Sequence, residues 1–140
     1  TGGLLGTLLT IPLGHLLKRR TMFALYYAAG AAAIFASFGL DLPPVTRLYM
    51  FFLVGVPVFG VFGAFPYYLP ELFPTWLRAT GAGFCYNIGR VLAAVGVFAV
   101  GAAASRGIAS QVIFYVGFVP LAGALLSPLF VETRDRPLAD

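Results

Sequence analysis

The chain has 140 residues, 60% of them hydrophobic and 10% charged, and nine Lys and Arg against five Asp and Glu give it a net charge of +4. Soluble domains carry roughly 25% charged residues, and a chain this short exposes much of its surface, so a mean hydropathy of +0.92 argues against a water-facing globule and for lipid as the solvent. The basic residues are few and lie between apolar runs, which argues for a topological role over nucleic-acid binding.

A spanning helix needs ~20 mostly apolar residues. In chain order, apolar runs cover Leu4 to Leu17, Met22 to Leu40, Leu48 to Leu69, Ala79 to Ala104 and Gln111 to Phe130. None alternates over two residues as a strand would, and backbone in lipid must be helix or closed barrel. The expected fold is therefore all-α, a polytopic transmembrane bundle of about five spans with the first truncated. Residues 1–140 form one membrane domain, and the first run opens at the first residues, so the chain reads as a piece of a longer protein.

The joints carry the basic residues. Lys18, Arg19 and Arg20 fill the first, Arg78 the third, and Arg134 and Arg136 the tail; the opposite side holds Arg47 and Arg106. The positive-inside bias then places the first joint, the third joint and the tail 131–140 in the cytoplasm, and the Asp41–Arg47 and Ser105–Ser110 joints outside. That topology suits a plasma membrane or a bacterial inner membrane.

Small residues repeat at helical spacing: Ala29, Ala33 and Ser37 on the second span, Gly81, Cys85, Gly89 and Ala93 on the fourth, and Gly123 and Ser127 on the last. Such faces let helices approach closely in lipid. The third span carries Pro57 and Pro66, with Pro70 and Pro74 at its end. Proline removes an N–H and kinks a helix, so this span is expected to be unwound or bent, as in helices that line transporter cavities. The tyrosines at 26, 27, 67 and 68 lie near span ends, where interface-belt residues are common.

No enzyme constellation is evident. His15 has no second His or Cys beside it to build a metal site, no Gly-rich stretch precedes a Lys-Ser/Thr pair, and no base is placed to activate a serine. Cys85 stands alone, so no internal disulfide can form. The reading is of a non-enzyme without cofactor or metal.

The most specific stretch is Glu71-Leu72-Phe73-Pro74-Thr75-Trp76-Leu77-Arg78-Ala79-Thr80-Gly81. Read physically, Pro74 ends the third span, Thr75 can cap the next helix, and Glu71 and Arg78 face each other across the joint. The stretch resembles the E-x-F-P-T-x-x-R-x-x-G signature of major facilitator superfamily transporters, in their sugar-porter and metabolite–proton-symporter branches. Gly14 to Arg20 is similar to that family's basic loop, with Arg19 and Arg20 matching its arginine pair, His15 in place of an aspartate and Lys18 in place of a glycine. Val131-Glu132-Thr133-Arg134-Asp135-Arg136-Pro137-Leu138 resembles its P-E-T-K-G-R-P-L tail. The resemblance spans the chain and implies the eighth to twelfth helices, the C-terminal part of a twelve-helix fold whose N-terminal half is missing here. It further implies alternating access, with Glu71, Arg78, Arg19, Arg20 and Glu132 as a cytoplasmic charge network that pairs in one state and parts in another.

Gly63-Ala64-Phe65-Pro66-Tyr67 lacks the tryptophan of hexose porters, whereas Tyr86-Asn87-Ile88-Gly89-Arg90 resembles the organic-acid branch. Arg90 lies ten residues past Thr80, about 15 Å into a core ~30 Å thick. An arginine at that depth faces protein or a wet cavity, and Asn87 and Tyr86, three and four residues back, share its flank. Arg90, Asn87 and Tyr86 are the candidate substrate residues, with a structural role for Arg90 as the competing reading. The expected function is transport of a small, anionic solute, an organic acid or related metabolite, with a proton as co-substrate. A sugar transporter of the same superfamily and a non-transporting membrane scaffold are the alternatives.

Overall fold

The computed structural model describes residues 2–133; the remaining tail, with Arg134 and Arg136, lies outside the described residues. The described chain is helical: α1 (Gly2–Leu16), α2 (Arg19–Gly39), α3 (Pro44–Glu71), α4 (Arg78–Ala104), α5 (Ala109–Val116) and α6 (Phe118–Leu126), closed by a 3-10 turn at Ser127–Leu129. Four segments are long and apolar enough to cross a membrane: Arg19–Gly39, Pro44–Glu71, Arg78–Ala104 and Ala109–Leu129, while Gly2–Leu16 is a shorter apolar helix. The chain is a multi-pass membrane protein.

Helix α3 differs from expectation in two ways. It starts four residues earlier than its apolar run, because Pro44 occupies its first turn, where a missing N–H costs nothing. It also runs through Pro57 and Pro66 without unwinding. Pro74 kinks no helix: α3 ends at Glu71 and α4 begins at Arg78, so Pro74 stands in the joint. The last span, in contrast, is interrupted where no break was expected. Pro120 has no N–H to offer the carbonyl of Val116, and the Gly117 N–H tightens onto the Phe114 carbonyl at 3.0 Å, splitting the span into α5 and α6.

Helices α1 and α3 cross at backbone contact. A Cβ on Gly6 would lie 2.0 Å from the Val56 carbonyl oxygen, so only glycine permits the approach. One turn on, Thr10 is buried, its Oγ1 2.9 Å from each of the Gly6 carbonyl, the Gly60 carbonyl and the Tyr26 hydroxyl. The Tyr26 ring in turn fills the space a side chain at 60 would take, 2.4 Å from that Cβ position. Three helices thus meet at one satisfied polar cluster, as buried hydroxyls require.

The apolar core lies beside it, at the end of the bundle where α2 begins and α3 ends. Met22, Phe23 and Tyr26 of α2 pack on Val61, Ala64 and Tyr68 of α3, with Leu13, Tyr27, Phe65, Tyr67 and Phe130 around them. Tyr26 and Tyr68 therefore belong to the core and not to an interface belt. Their helical phase turns them inward, and each hydroxyl finds a partner inside the bundle, Thr10 for Tyr26 and the Val131 carbonyl at 3.0 Å for Tyr68.

Helix α4 is the exception to this packing. It buries only Gly81 and Ala103, near its two ends, and residues 83–99 are exposed throughout. Of its small-residue face, Gly81 lies against the Phe73 ring, whereas nothing approaches Gly89 within 4 Å.

Candidate functional site

Two groups of residues carry chemistry, one at the charged end of the bundle and one halfway along α4.

At the charged end, the short joint between α1 and α2 delivers Arg19 to the last residue of α3. Its guanidinium grips the Glu71 carboxylate with both prongs, Nη2 to Oε1 at 2.9 Å and Nε to Oε2 at 3.2 Å. The third nitrogen, Nη1, donates to the Gly14 carbonyl at 2.8 Å, and the guanidinium lies 4.7 Å from the centre of the Tyr67 ring. Side-chain exposures of 13% for Arg19 and 21% for Glu71 shield the pair from much of the solvent screening that weakens surface pairs. Thr133 also donates its hydroxyl to Glu71 Oε2.

The segment after the last helix is fastened across this pair. Glu132 accepts the backbone N–H groups of Arg19 at 3.0 Å and Arg20 at 3.3 Å. Neither Lys18, at the N-cap position, nor any neighbouring side chain caps α2, so this distant carboxylate takes the role, at the end where the helix dipole favours negative charge. Arg20 Nε donates to the Phe130 carbonyl at 2.5 Å. Arg19, Arg20, Glu71 and Glu132 are thus brought together by three separate stretches of chain.

Arg78 is not part of this cluster. The expected Glu71–Arg78 contact is absent among the described residues: Arg78 Nη2 donates to Thr75 Oγ1 at 3.3 Å, while Arg19 holds Glu71. Thr75 is not the N-cap of α4 either; Leu77 is, without a side-chain cap. The Pro74–Leu77 turn, closed by the Leu77 N–H on the Pro74 carbonyl at 3.0 Å, separates Thr75 from the helix start. Thr133 was invisible as a partner from sequence, since it is adjacent to Glu71 only in space, whereas Gly14, five residues before Arg19, and Tyr67, one helical turn before Glu71, were within reach of a local reading. The Gly2, Gly6, Thr10 spacing did carry a signal for the α1–α3 contact, a four-residue repeat of small residues.

Halfway along α4, Tyr86, Asn87 and Arg90 lie on an exposed flank. The Arg90 guanidinium is 5.9 Å from the centre of the Tyr86 ring, and Asn87 Nδ2 donates to the Gly83 carbonyl at 2.8 Å, which ties the amide to its own helix. Among the described residues no carboxylate pairs with Arg90. Below it, Tyr86 forms one wall of a cleft of about 240 Å³ between α3 and α4, lined also by Phe65, Pro66, Leu69, Pro70, Ala82 and Gly83.

No family model and no solved structure matches the chain. Curated relatives do. The chain is 31% identical over 137 residues, 96% of its length, to the putative transporter svop-1 of Caenorhabditis elegans. It is 29% identical over 139 residues to the cis,cis-muconate transport protein of Acinetobacter baylyi. A 50-residue stretch is 48% identical to a probable 4-methylmuconolactone transporter of Cupriavidus pinatubonensis. The matches span 26%, 32% and 12% of those proteins' own lengths. Likeness to transport proteins along nearly the whole chain, on an all-helical membrane architecture carrying the Glu71-to-Gly81 signature, makes this chain a member of the major facilitator superfamily.

Proposed function

We propose that the chain is the C-terminal part, the last five helices, of a transporter that carries an organic anion across a cell membrane by alternating access. The observation that carries this reading is Arg90. It stands twelve residues past Arg78, about 18 Å along α4, exposed and without a carboxylate partner among the described residues. A cation at that depth in lipid costs about 2.5–3.5 kcal/mol on insertion scales, so it must meet a wet cavity or an anion. A guanidinium beside a tyrosine ring and a fixed amide suits a carboxylate, which an arginine fork binds in bidentate fashion. The cis,cis-muconate transport protein among the relatives supports an organic acid over a sugar.

The cluster of Arg19, Glu71, Glu132 and Arg20 acts in this reading as the cytoplasmic latch, closed in the arrangement described here. The C-terminus faces the cytoplasm of a plasma membrane or bacterial inner membrane. A proton is the coupling ion. Among the described residues of the spans, Glu71 is the only acidic side chain, and it sits at a span's end, so the coupling carboxylate belongs to the part of the transporter outside this chain.

Arg90 variants of the full-length transporter test the reading. Arg90→Lys is expected to keep the fold and weaken substrate binding, and Arg90→Ala to abolish it, by calorimetry alongside melting temperature. Unchanged affinity in Arg90→Ala at normal yield rules out a substrate role.

A further inference from the structure

Helix α3 carries prolines at 66 and 70, four residues apart and therefore on one face, and both line the cleft of about 240 Å³ between α3 and α4. A helical carbonyl points along the axis toward the N–H four residues on, and Pro70 has none to give the carbonyl of Pro66. That carbonyl lies on the cleft face without its helical partner, about 7.5 Å from the end of α3 at Glu71. Inside a membrane such a group takes its hydrogen bond from a neighbouring helix, a side-chain hydroxyl or a water. The side chains lining the cleft are apolar apart from Tyr86, and among the described residues the Tyr86 hydroxyl makes no bond to the Pro66 carbonyl. An apolar cleft thus holds one backbone acceptor waiting for a donor.

We infer that the Pro66 carbonyl is the far end of the substrate site, where it accepts a hydrogen bond from a hydroxyl group that the anion carries away from its carboxylate. The inference rests on the reading of Arg90 as the anion-binding residue and adds to it a second, uncharged point of recognition. The edge of the cleft from Ala82 to Tyr86 lies four to eight residues before Arg90, about 6–12 Å along α4. Tyr86 spans that gap, lining the cleft and standing 5.9 Å from the Arg90 guanidinium, so one small molecule reaches both ends. A resident water is the weaker occupant. A buried water makes about three hydrogen bonds, and this cleft offers it the Pro66 carbonyl and the Tyr86 hydroxyl. A substrate hydroxyl satisfies the carbonyl with a single donated bond, while the carbon body behind it covers the apolar walls and the open space beside Gly83. An acid without that hydroxyl leaves a buried acceptor unpaired, which a polar site penalises. An acid with its hydroxyl next to the carboxylate does not reach the carbonyl.

Purified full-length transporter titrated calorimetrically with hexanoate, 2-hydroxyhexanoate and 6-hydroxyhexanoate tests this. The acid with the distal hydroxyl is expected to bind about three- to tenfold more tightly than either of the others, the range that one hydrogen bond supplies. Pro70→Ala restores an N–H to the Pro66 carbonyl and is expected to erase that preference while leaving the affinity for hexanoate unchanged. Pro70→Leu restores the same N–H and keeps apolar bulk in the cleft, so it serves as the second variant should the first fold poorly, with the same result expected. Arg90→Ala is expected to weaken all three acids alike. Equal binding of the two hydroxylated isomers to the wild-type protein, a preference that persists in a folded Pro70 variant, or a Pro70 variant that shifts all three acids together overturns the inference while leaving the organic-acid reading in place. Failure of the wild-type protein to bind any of the three, or binding that Arg90→Ala leaves unchanged, overturns both.

Discussion

Neutralising Glu71 is the sharpest test of the charged end. Its carboxylate receives two N–H groups from Arg19 and the Thr133 hydroxyl, and both members of the pair are mostly shielded, at 13% and 21% exposure. Hydrogen bonds to charged groups are worth about 1.5–3 kcal/mol when made in protein, whereas open surface pairs contribute about 0–1 kcal/mol. Partial exposure discounts the first figure, so the Arg19–Glu71 coupling should be about 1–2 kcal/mol, a five- to thirty-fold bias toward the latched arrangement. Glu71→Gln keeps the shape and removes the charge; Arg19→Ala removes the fork. The two single variants and the double, compared by reversible denaturation in mixed micelles and by initial uptake rates in proteoliposomes, form a double-mutant cycle. Each single variant is expected to slow uptake with membrane insertion intact, and the double to be little worse than either. Strict additivity, to within about 0.3 kcal/mol, or wild-type uptake in both single variants, would refute the latch.

Two further outcomes follow from features away from that pair. An impermeant reagent applied to intact cells should label a cysteine placed in the Asp41–Thr46 joint and leave one added after Asp140 untouched; the opposite pattern inverts the proposed topology. Gly6→Ala drives a methyl to within 2.0 Å of the Val56 carbonyl oxygen, so overpacking should cost about 1–3 kcal/mol, seen as lower yield and melting temperature, whereas Gly83→Ala, in open space, should match the parent protein. Equal melting of the two variants would mean that α1 and α3 do not cross as described.

What the sequence made legible was governed by the solvent. Lipid demands long apolar helices, so the spans and joints could be placed from hydropathy, and Pro44 moved one boundary only because proline is welcome in a first turn. The all-α architecture and the family likeness were both readable in this way. Side-chain partnership was not. Glu71 and Arg78 are close in sequence and flank the same joint, yet the Pro74–Leu77 turn carries Arg78 to Thr75, and an arginine fifty-two residues away takes the carboxylate. Tyrosines near span ends give no sign of whether they face headgroups or a neighbouring helix; Tyr26 and Tyr68 face inward because of where α1 and residue 131 lie, which is tertiary information. The break at Gly117 was within reach, since Pro120 three residues later removes a helical N–H, but prolines drew attention in α3, where the helix tolerates them.

The cap that Glu132 places on α2 has a consequence for how the protein is made. The carboxylate and the Arg19 N–H it receives are separated by 113 positions in the chain. At about 5–20 residues per second on the ribosome, roughly 6–23 seconds pass between synthesis of the start of α2 and synthesis of its cap. Through that interval α2 sits in the membrane with its first N–H groups turned to headgroups or water. A residue translated long after α2 thereby finishes that helix, and a chain cut short before Glu132 keeps these spans but leaves their charged end unsealed. Quality-control proteases that probe loose helix ends would have a direct means of telling a chain that carries the Glu132 cap from one that lacks it.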